Sequence, residues 1–108
     1  MLIIFINNER LPRYFWVEVL EMQDFCNEIV EQIKASRDER DLIQVINNSM
    51  WLLRKERNSF NETGYVMNMI VSLRAVLPEA SSTRVSNNTK LAIAIFRQLQ
   101  QERQGHIF

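Results

Sequence analysis

The fold of this chain is decided by residues 12–35, which read PRYFWVEVLEMQDFCNEIVEQIKA. Apolar residues recur along this segment at alternating steps of four and three, which places them in one narrow arc of a helix. They are Phe15, Val19, Met22, Cys26, Ile29 and Ile33. Carboxylates recur on the opposite side at similar steps, from Glu18 to Glu31. The segment therefore predicts one long amphipathic helix and, with it, an all-helical core.

Length and composition favour a single helical domain. The chain has 108 residues, of which 46% are hydrophobic and 24% are charged, a balance typical of a folded globular protein. A domain of this size buries roughly two-thirds of its unfolded surface, so it needs neither a metal nor a disulfide for stability. Only two glycines and two prolines are present. This scarcity of turn residues favours long helices joined by short loops.

We predict an all-α fold, a compact antiparallel four-helix bundle with a short apolar N-terminal arm, in one domain spanning residues 1–108. The predicted elements are the arm at 1–8 and helices at about 11–35, 37–57, 60–77 and 87–104. Residues 36–39 (SRDE) and 59–62 (SFNE) have the form of capping boxes that open helices. Pro78 ends the third helix, and the polar stretch 79–85 predicts a flexible loop before N-cap candidates at 86–89.

Two further structural expectations concern apolar residues. Aromatic residues on or beside the apolar stripes are expected to pack in the core. These are Trp16, Trp51, Phe60 and Phe96. The apolar run 1–6 (MLIIFI) has the composition of a buried strand, but a short helix or a flexible arm is equally compatible with it. Its burial would require another surface, so we expect a homo-oligomer.

Catalytic and metal chemistry find little support in the sequence. The only histidine is His106, and the single cysteine, Cys26, lies within the apolar seam of the first helix. Burial there would raise the thiol pKa and make it unreactive. The chain has too few Cys and His residues for a zinc site and no glycine-rich phosphate loop. We therefore expect no enzyme activity, no catalytic residue, no cofactor and no bound metal.

The predicted compartment is the cytoplasm. One cysteine excludes an internal disulfide and suits a reducing environment. The apolar run 1–6 is far shorter than the roughly 20 residues of a membrane-spanning helix, and it lacks the basic leader of a signal peptide. We expect no membrane contact.

The first helix also predicts a binding surface. The whole chain is neutral, with 13 basic and 13 acidic residues, so no general attraction to nucleic acid or membrane is expected. Aromatic and acidic side chains nevertheless cluster on the helix face away from the apolar seam. They are Tyr14, Val17, Glu18, Glu21, Asp24, Phe25 and Glu28. Aromatic residues among acids are typical of a surface that binds a basic protein. The alternative is a central helix that buries those aromatics.

The sequence thus favours a small non-enzymatic protein-binding module, such as an inhibitor or immunity-type protein that masks a basic site on its target. One alternative is a dimeric DNA-binding regulator of helix-turn-helix type. Its candidate nucleic-acid contacts are Arg54, Lys55, Arg57, Thr63, Tyr65 and Asn68. Against it, the third helix carries one basic residue, Arg74, and is mostly apolar. A structural homo-oligomer without a ligand is the other alternative.

Overall fold

The described part of the chain folds into an all-α bundle of four helices. The computed structural model describes residues 13–56 and 62–105, and the side chains of residues 21–55 and 62–102. The helices are α1 (Arg13–Lys34), α2 (Glu39–Glu56), α3 (Glu62–Val76) and α4 (Thr83–Gly105), with a 3₁₀ turn at Leu77–Glu79. For the described residues the predicted all-α four-helix bundle is confirmed, and its antiparallel arrangement stays a prediction. The predicted arm at 1–8 lies outside the described residues.

α1 is the continuous amphipathic rod that its sequence predicts. Cys26, Ile29 and Ile33 are buried, each at most 4% exposed, as is Val30 beside them. Met22 is half-buried and packs against the same cluster. The buried stripe therefore follows the predicted steps of three and four from residue 22 onward. The side chains of Phe15 and Val19, which begin the pattern, are outside the described range.

One stripe from each helix contributes to a single core. α1 contacts α2, α3 and α4, and α3 packs most extensively against α4. The core residues from α2 are Leu42, Ile46, Met50 and Leu53. Those from α3 are Tyr65, Val66, Met69, Ile70 and Leu73. Those from α4 are Ala92 and Phe96. Because every helix supplies residues to the same cluster, the described part of the chain has one hydrophobic core.

Tyr65 joins α3 to the other three helices. Its side chain is fully buried, and its hydroxyl donates a hydrogen bond of 2.8 Å to the Ser49 hydroxyl of α2. The Ser49 hydroxyl in turn donates to the Ile46 carbonyl at 2.7 Å. The Tyr65 ring centroid lies 5.4 Å from that of Phe25 and 5.9 Å from that of Phe96, the latter nearly perpendicular. One hydrogen bond and two aromatic contacts of Tyr65 thus fix the position of α3 relative to the other three helices.

The connection between α1 and α2 differs from its predicted capping box. Asp38, rather than Ser36, caps α2, because its carboxylate accepts the Asp41 backbone N–H at 2.8 Å. The Ser36 hydroxyl instead donates to the Gln32 carbonyl at 3.0 Å, within the last turn of α1. Since Asp is at least as good an N-cap as Ser, the later residue takes that role. The second predicted capping box falls mostly on residues 57–61, outside the described ranges.

α4 begins at Thr83, four residues before its predicted start at 87. The Ser82 hydroxyl accepts the Val85 backbone N–H at 3.2 Å and so caps the helix. The connection predicted over 79–85 is shorter than expected, because the 3₁₀ turn continues to Glu79 and the helix starts at Thr83. Only residues 80–82 lie between them. The N-cap candidates at 86–89 lie inside α4.

One of those residues, Asn88, links the start of α4 to the end of α1. Its amide Nδ2 donates to the backbone carbonyls of Ile33, at 3.1 Å, and Ser36, at 2.8 Å. The last carbonyls of a helix have no partner within that helix, and Asn88 is only 8% exposed. The Asn88 side chain therefore gives the Ser36 carbonyl a buried donor. It adds a second donor to the Ile33 carbonyl, which also accepts the Ser36 backbone N–H at 3.1 Å.

Of the aromatic residues predicted to pack in the core, one is buried and another is exposed. Phe96 is fully buried, as predicted, but the prediction for Trp51 is wrong because its side chain is 56% exposed. Trp51 lies on the side of α2 opposite Leu42, Ile46 and Leu53, and the Lys55 ammonium sits 4.9 Å from its ring centroid. Trp16 and Phe60 lie outside the described side chains.

Removing the Tyr65 hydroxyl and removing the Ser49 hydroxyl should lower the free energy of unfolding by different amounts. Tyr65→Phe should lower the free energy of unfolding by about 1 kcal/mol, since Ser49 keeps its bond to Ile46. Ser49→Ala should cost more, up to about 3 kcal/mol, because it leaves the Tyr65 hydroxyl buried without an acceptor. Urea denaturation of both variants and of the double variant measures these terms. The double variant should cost less than the sum, and strictly additive costs would show that the hydroxyls are not coupled.

Asn88 and its neighbour Asn87 provide a matched test of the link between α4 and α1. Asn88→Ala should lower the free energy of unfolding by about 1–3 kcal/mol, because the Ile33 and Ser36 carbonyls lose a buried donor. Asn87 is exposed, so Asn87→Ala gains the same helix propensity and should change stability by about 0.5 kcal/mol or less. Equal urea midpoints for the two variants would contradict the assigned role.

Candidate functional site

The acidic face of α1 is one candidate binding surface in the described part of the chain. We define it by Glu21, Asp24, Glu28 and Glu31, all of which are exposed. At 1.5 Å per residue these carboxylates extend over about 15 Å of the helix, within an arc of about 80°. Glu31 pairs with Lys34 at 3.3 Å. Among the described residues, no basic side chain forms an ion pair with Asp24 or Glu28.

Phe25 borders the acidic face on the side that turns toward the core. Its side chain is half-buried, and its ring contacts that of Tyr65. The sequence left open whether this aromatic residue faces a partner or the core. The inner edge of the Phe25 ring contacts the core. Three other residues of the predicted surface, Tyr14, Val17 and Glu18, precede the described side chains. The structure thus brings Glu21, Asp24 and Glu28 onto one stripe with Phe25 at its margin.

Among the described residues proposed for DNA contact, Tyr65 is buried, and Arg54 and Lys55 interact with other side chains of the chain. The prediction for Tyr65 is wrong, because its side chain is fully buried and bonded to Ser49. The Arg54 guanidinium donates to the Glu62 carboxylate at 3.0 Å, and Lys55 lies over Trp51. Thr63 is exposed, and the half-buried Asn68 accepts a hydrogen bond from Ser72 at 3.1 Å. Arg57 is outside the described residues.

A second surface, not anticipated from the sequence, lies between α3 and α4. This groove has a volume of about 370 Å³, and it is lined by Met67, Ile70, Val71, Arg74, Arg97, Gln100 and Gln101. Met67 is 51% exposed and Val71 is 65% exposed. The only sequence signal for it is that α3 is apolar on nearly all sides, so some of its apolar residues must face outward once others enter the core.

The single thiol has no place in a reactive site. Cys26 is fully buried between Met22 and Ile29 along the α1 seam. Desolvation by burial raises its pKa to about 12, so the thiol stays protonated and unreactive at neutral pH. Within the described side chains, no cluster of three or more His, Cys, Asp or Glu residues is arranged to bind a metal. No described helix has both the length and the apolar character to span a membrane.

Comparison with known proteins does not assign a family to this chain. No protein-family model matches it, and no curated protein or solved structure shows significant similarity. Within the described side chains, the acidic face of α1 and the groove between α3 and α4 are the candidate functional surfaces.

Burial of Cys26 predicts a pH dependence of stability. In the unfolded chain the thiol ionises near its ordinary pKa of 9.0, whereas in the folded chain it stays protonated up to about pH 12. The unfolded state therefore binds fewer protons above pH 9, and the free energy of unfolding should fall by about 1 kcal/mol by pH 10. Urea denaturation over this range measures the loss. Cys26→Ala should lack this pH-dependent component, and an identical pH profile in the variant would contradict the assignment.

Proposed function

We propose that this protein is a small non-enzymatic cytoplasmic module that binds another protein through the acidic face of α1, and that the partner presents a basic surface. The observation that supports this most directly is the exposed stripe of Glu21, Asp24 and Glu28, in which the last two lack a basic partner among the described residues.

The stripe is not explained by the needs of folding. Asp24 and Glu28 are four residues apart on one helix face, and like charges at this spacing destabilise a helix by about 0.2–0.5 kcal/mol per pair. Acids at the start of a helix would interact favourably with its dipole, but α1 has no acid in its first turn. A mixture of charges on this face would stabilise α1 better. A basic partner would relieve the repulsion.

The neighbouring aromatic supports the same proposal. Phe25 is half-buried against Tyr65, so the remaining part of its ring is held rigidly at the margin of the acidic face. Rigid aromatic rings contribute strongly to binding energy, while surrounding charges steer the encounter and set specificity. This combination suits an inhibitor or immunity-type protein that masks a basic site on its target.

A triple charge reversal tests the proposal. Glu21→Lys, Asp24→Lys and Glu28→Lys together should abolish capture of the partner, because a basic surface would then meet a basic face. Proteins retained from an extract of the native cells by the immobilised wild-type chain are identified by mass spectrometry. The purified partner is then measured by surface plasmon resonance. The association rate should fall by about tenfold or more in the variant and should fall with rising salt for the wild type.

A second triple variant controls for the change in net charge. Glu39, Glu79 and Glu102 are exposed glutamates outside α1, so their replacement by lysine changes the net charge equally. This control should retain the partner with an association rate within about twofold of the wild type. Equal effects of the two triple variants, or the absence of any basic protein retained by the wild type, would refute the proposal. Far-UV circular dichroism verifies that both variants fold.

A further inference from the structure

The groove between α3 and α4 has an apolar floor that is open to solvent. Ile70, only 7% exposed, forms its base, and Met67 and Val71 stand above it with 51% and 65% of their surfaces exposed. Met67 and Val71 are four residues apart and therefore adjacent on one face of α3. Together the three side chains form a continuous apolar strip one turn long.

Folding does not account for this strip. An exposed valine lowers helix propensity relative to most straight-chain residues because its branched side chain loses rotamer freedom. Met67 and Val71 contribute little to the core, since at least half of each side chain faces solvent. The two other exposed large apolar residues of the described range differ from this pair: Ile43 is only 39% exposed, and Trp51 is covered on one face by Lys55. A flexible methionine beside a β-branched residue is typical of surfaces that adapt to an apolar partner.

The polar residues of the groove define the charge of its occupant. Arg74 and Arg97 line it and are exposed, and no acidic residue is among the seven that line it. Neither arginine forms an ion pair with a described carboxylate. Arginine presents a fork of donors that matches a carboxylate, and the amides of Gln100 and Gln101 offer further donors and acceptors. The groove is therefore complementary to a ligand that is both apolar and negatively charged.

We infer that the groove docks an acidic amphipathic helix of a partner protein. The apolar residues of that helix pack on Met67, Ile70 and Val71, and carboxylates beside them meet Arg74 and Arg97. A helix suits the site because the groove runs between two helices, and ridges of a third helix fill such a groove at an axial separation of 8–10 Å. Recognition by residues at i, i+3, i+4 and i+7 is the usual form of this docking.

This second surface is independent of the acidic face of α1. The two surfaces share no residue, and they require partners of opposite charge. A chain with both would join a basic protein to an acidic helix. Failure of one assignment leaves the other untouched, because each is tested with its own variants and its own probe.

The experiment uses two labelled peptides of about 15 residues. Both have leucines at i, i+3, i+4 and i+7, but one has glutamates at the flanking positions and the other has lysines. Fluorescence anisotropy with the full-length protein measures their affinities at physiological salt. The glutamate peptide should bind saturably at micromolar concentration, and about tenfold or more tighter than the lysine peptide.

Two pairs of matched variants locate the binding site. The double variant Arg74→Glu, Arg97→Glu should bind the glutamate peptide about tenfold or more weakly than the wild type. The control variant Arg84→Glu, Lys90→Glu makes an equal charge change at other exposed positions, both on α4. Its affinity for the peptide should stay within about twofold of the wild type. Met67→Ser with Val71→Ser should also weaken binding. Ile43→Ser with Trp51→Ser removes exposed apolar side chains from α2 and should not.

The outcomes separate the possible occupants. Equal binding of the glutamate and lysine peptides to the wild-type protein would overturn the inference without any variant, as would equal effects of the two charge-changing pairs. Sedimentation of the wild-type chain and of the Arg74→Glu, Arg97→Glu variant tests a second copy as the occupant. A wild-type oligomer that becomes monomeric in this variant would assign the groove to self-association and overturn the docking of a foreign helix.

Discussion

The packing of α3 against the other three described helices depends on the burial of Tyr65. Its hydroxyl must find a partner in the core, since an unpaired buried hydroxyl costs about 1–3 kcal/mol, and it finds one at Ser49 of α2. Its ring must find apolar neighbours, and it contacts Phe25 of α1 and Phe96 of α4. These requirements can be met together only in one rotation of α3 about its axis. The residue therefore sets which face of α3 enters the core.

The rotation of α3 decides what the surface becomes. With Tyr65 directed inward, the helical repeat places Met69, Val66 and Leu73 in the core and leaves Met67, Val71 and Arg74 on the outer side. An apolar helix that is not surrounded on all sides must expose some of its apolar residues. Here they emerge beside α4, where Arg97 completes a groove of apolar and basic character. The same constraint that fixes the core thus creates the candidate docking site.

The sequence predicts those parts of the fold in which the pattern of residues is compatible with a single structure. In α1 the apolar seam and the acidic stripe are separated on opposite faces, so the helix, the buried Cys26 and the exposed carboxylates follow from periodicity alone. In α3 the apolar residues surround the helix, and periodicity cannot select the inward face. Ser36 and Asp38 compete for one cap, and only tertiary structure shows that Ser36 closes α1 instead. Asn88 is a plausible cap in sequence, yet its partners are 52 and 55 residues away.

The distribution of charge connects the two candidate surfaces. A neutral chain with 13 charges of each sign could intersperse them, and local pairing would then favour solubility and helix stability. Instead, Asp24 and Glu28 stand on α1 and Arg74 and Arg97 stand at the groove, and none of the four pairs with an opposite charge among the described residues. Each of these two like-charged clusters lacks the stabilisation that neighbouring opposite charges would supply. The core needs neither cluster, and the two proposed partners would supply the opposite charges that both surfaces lack.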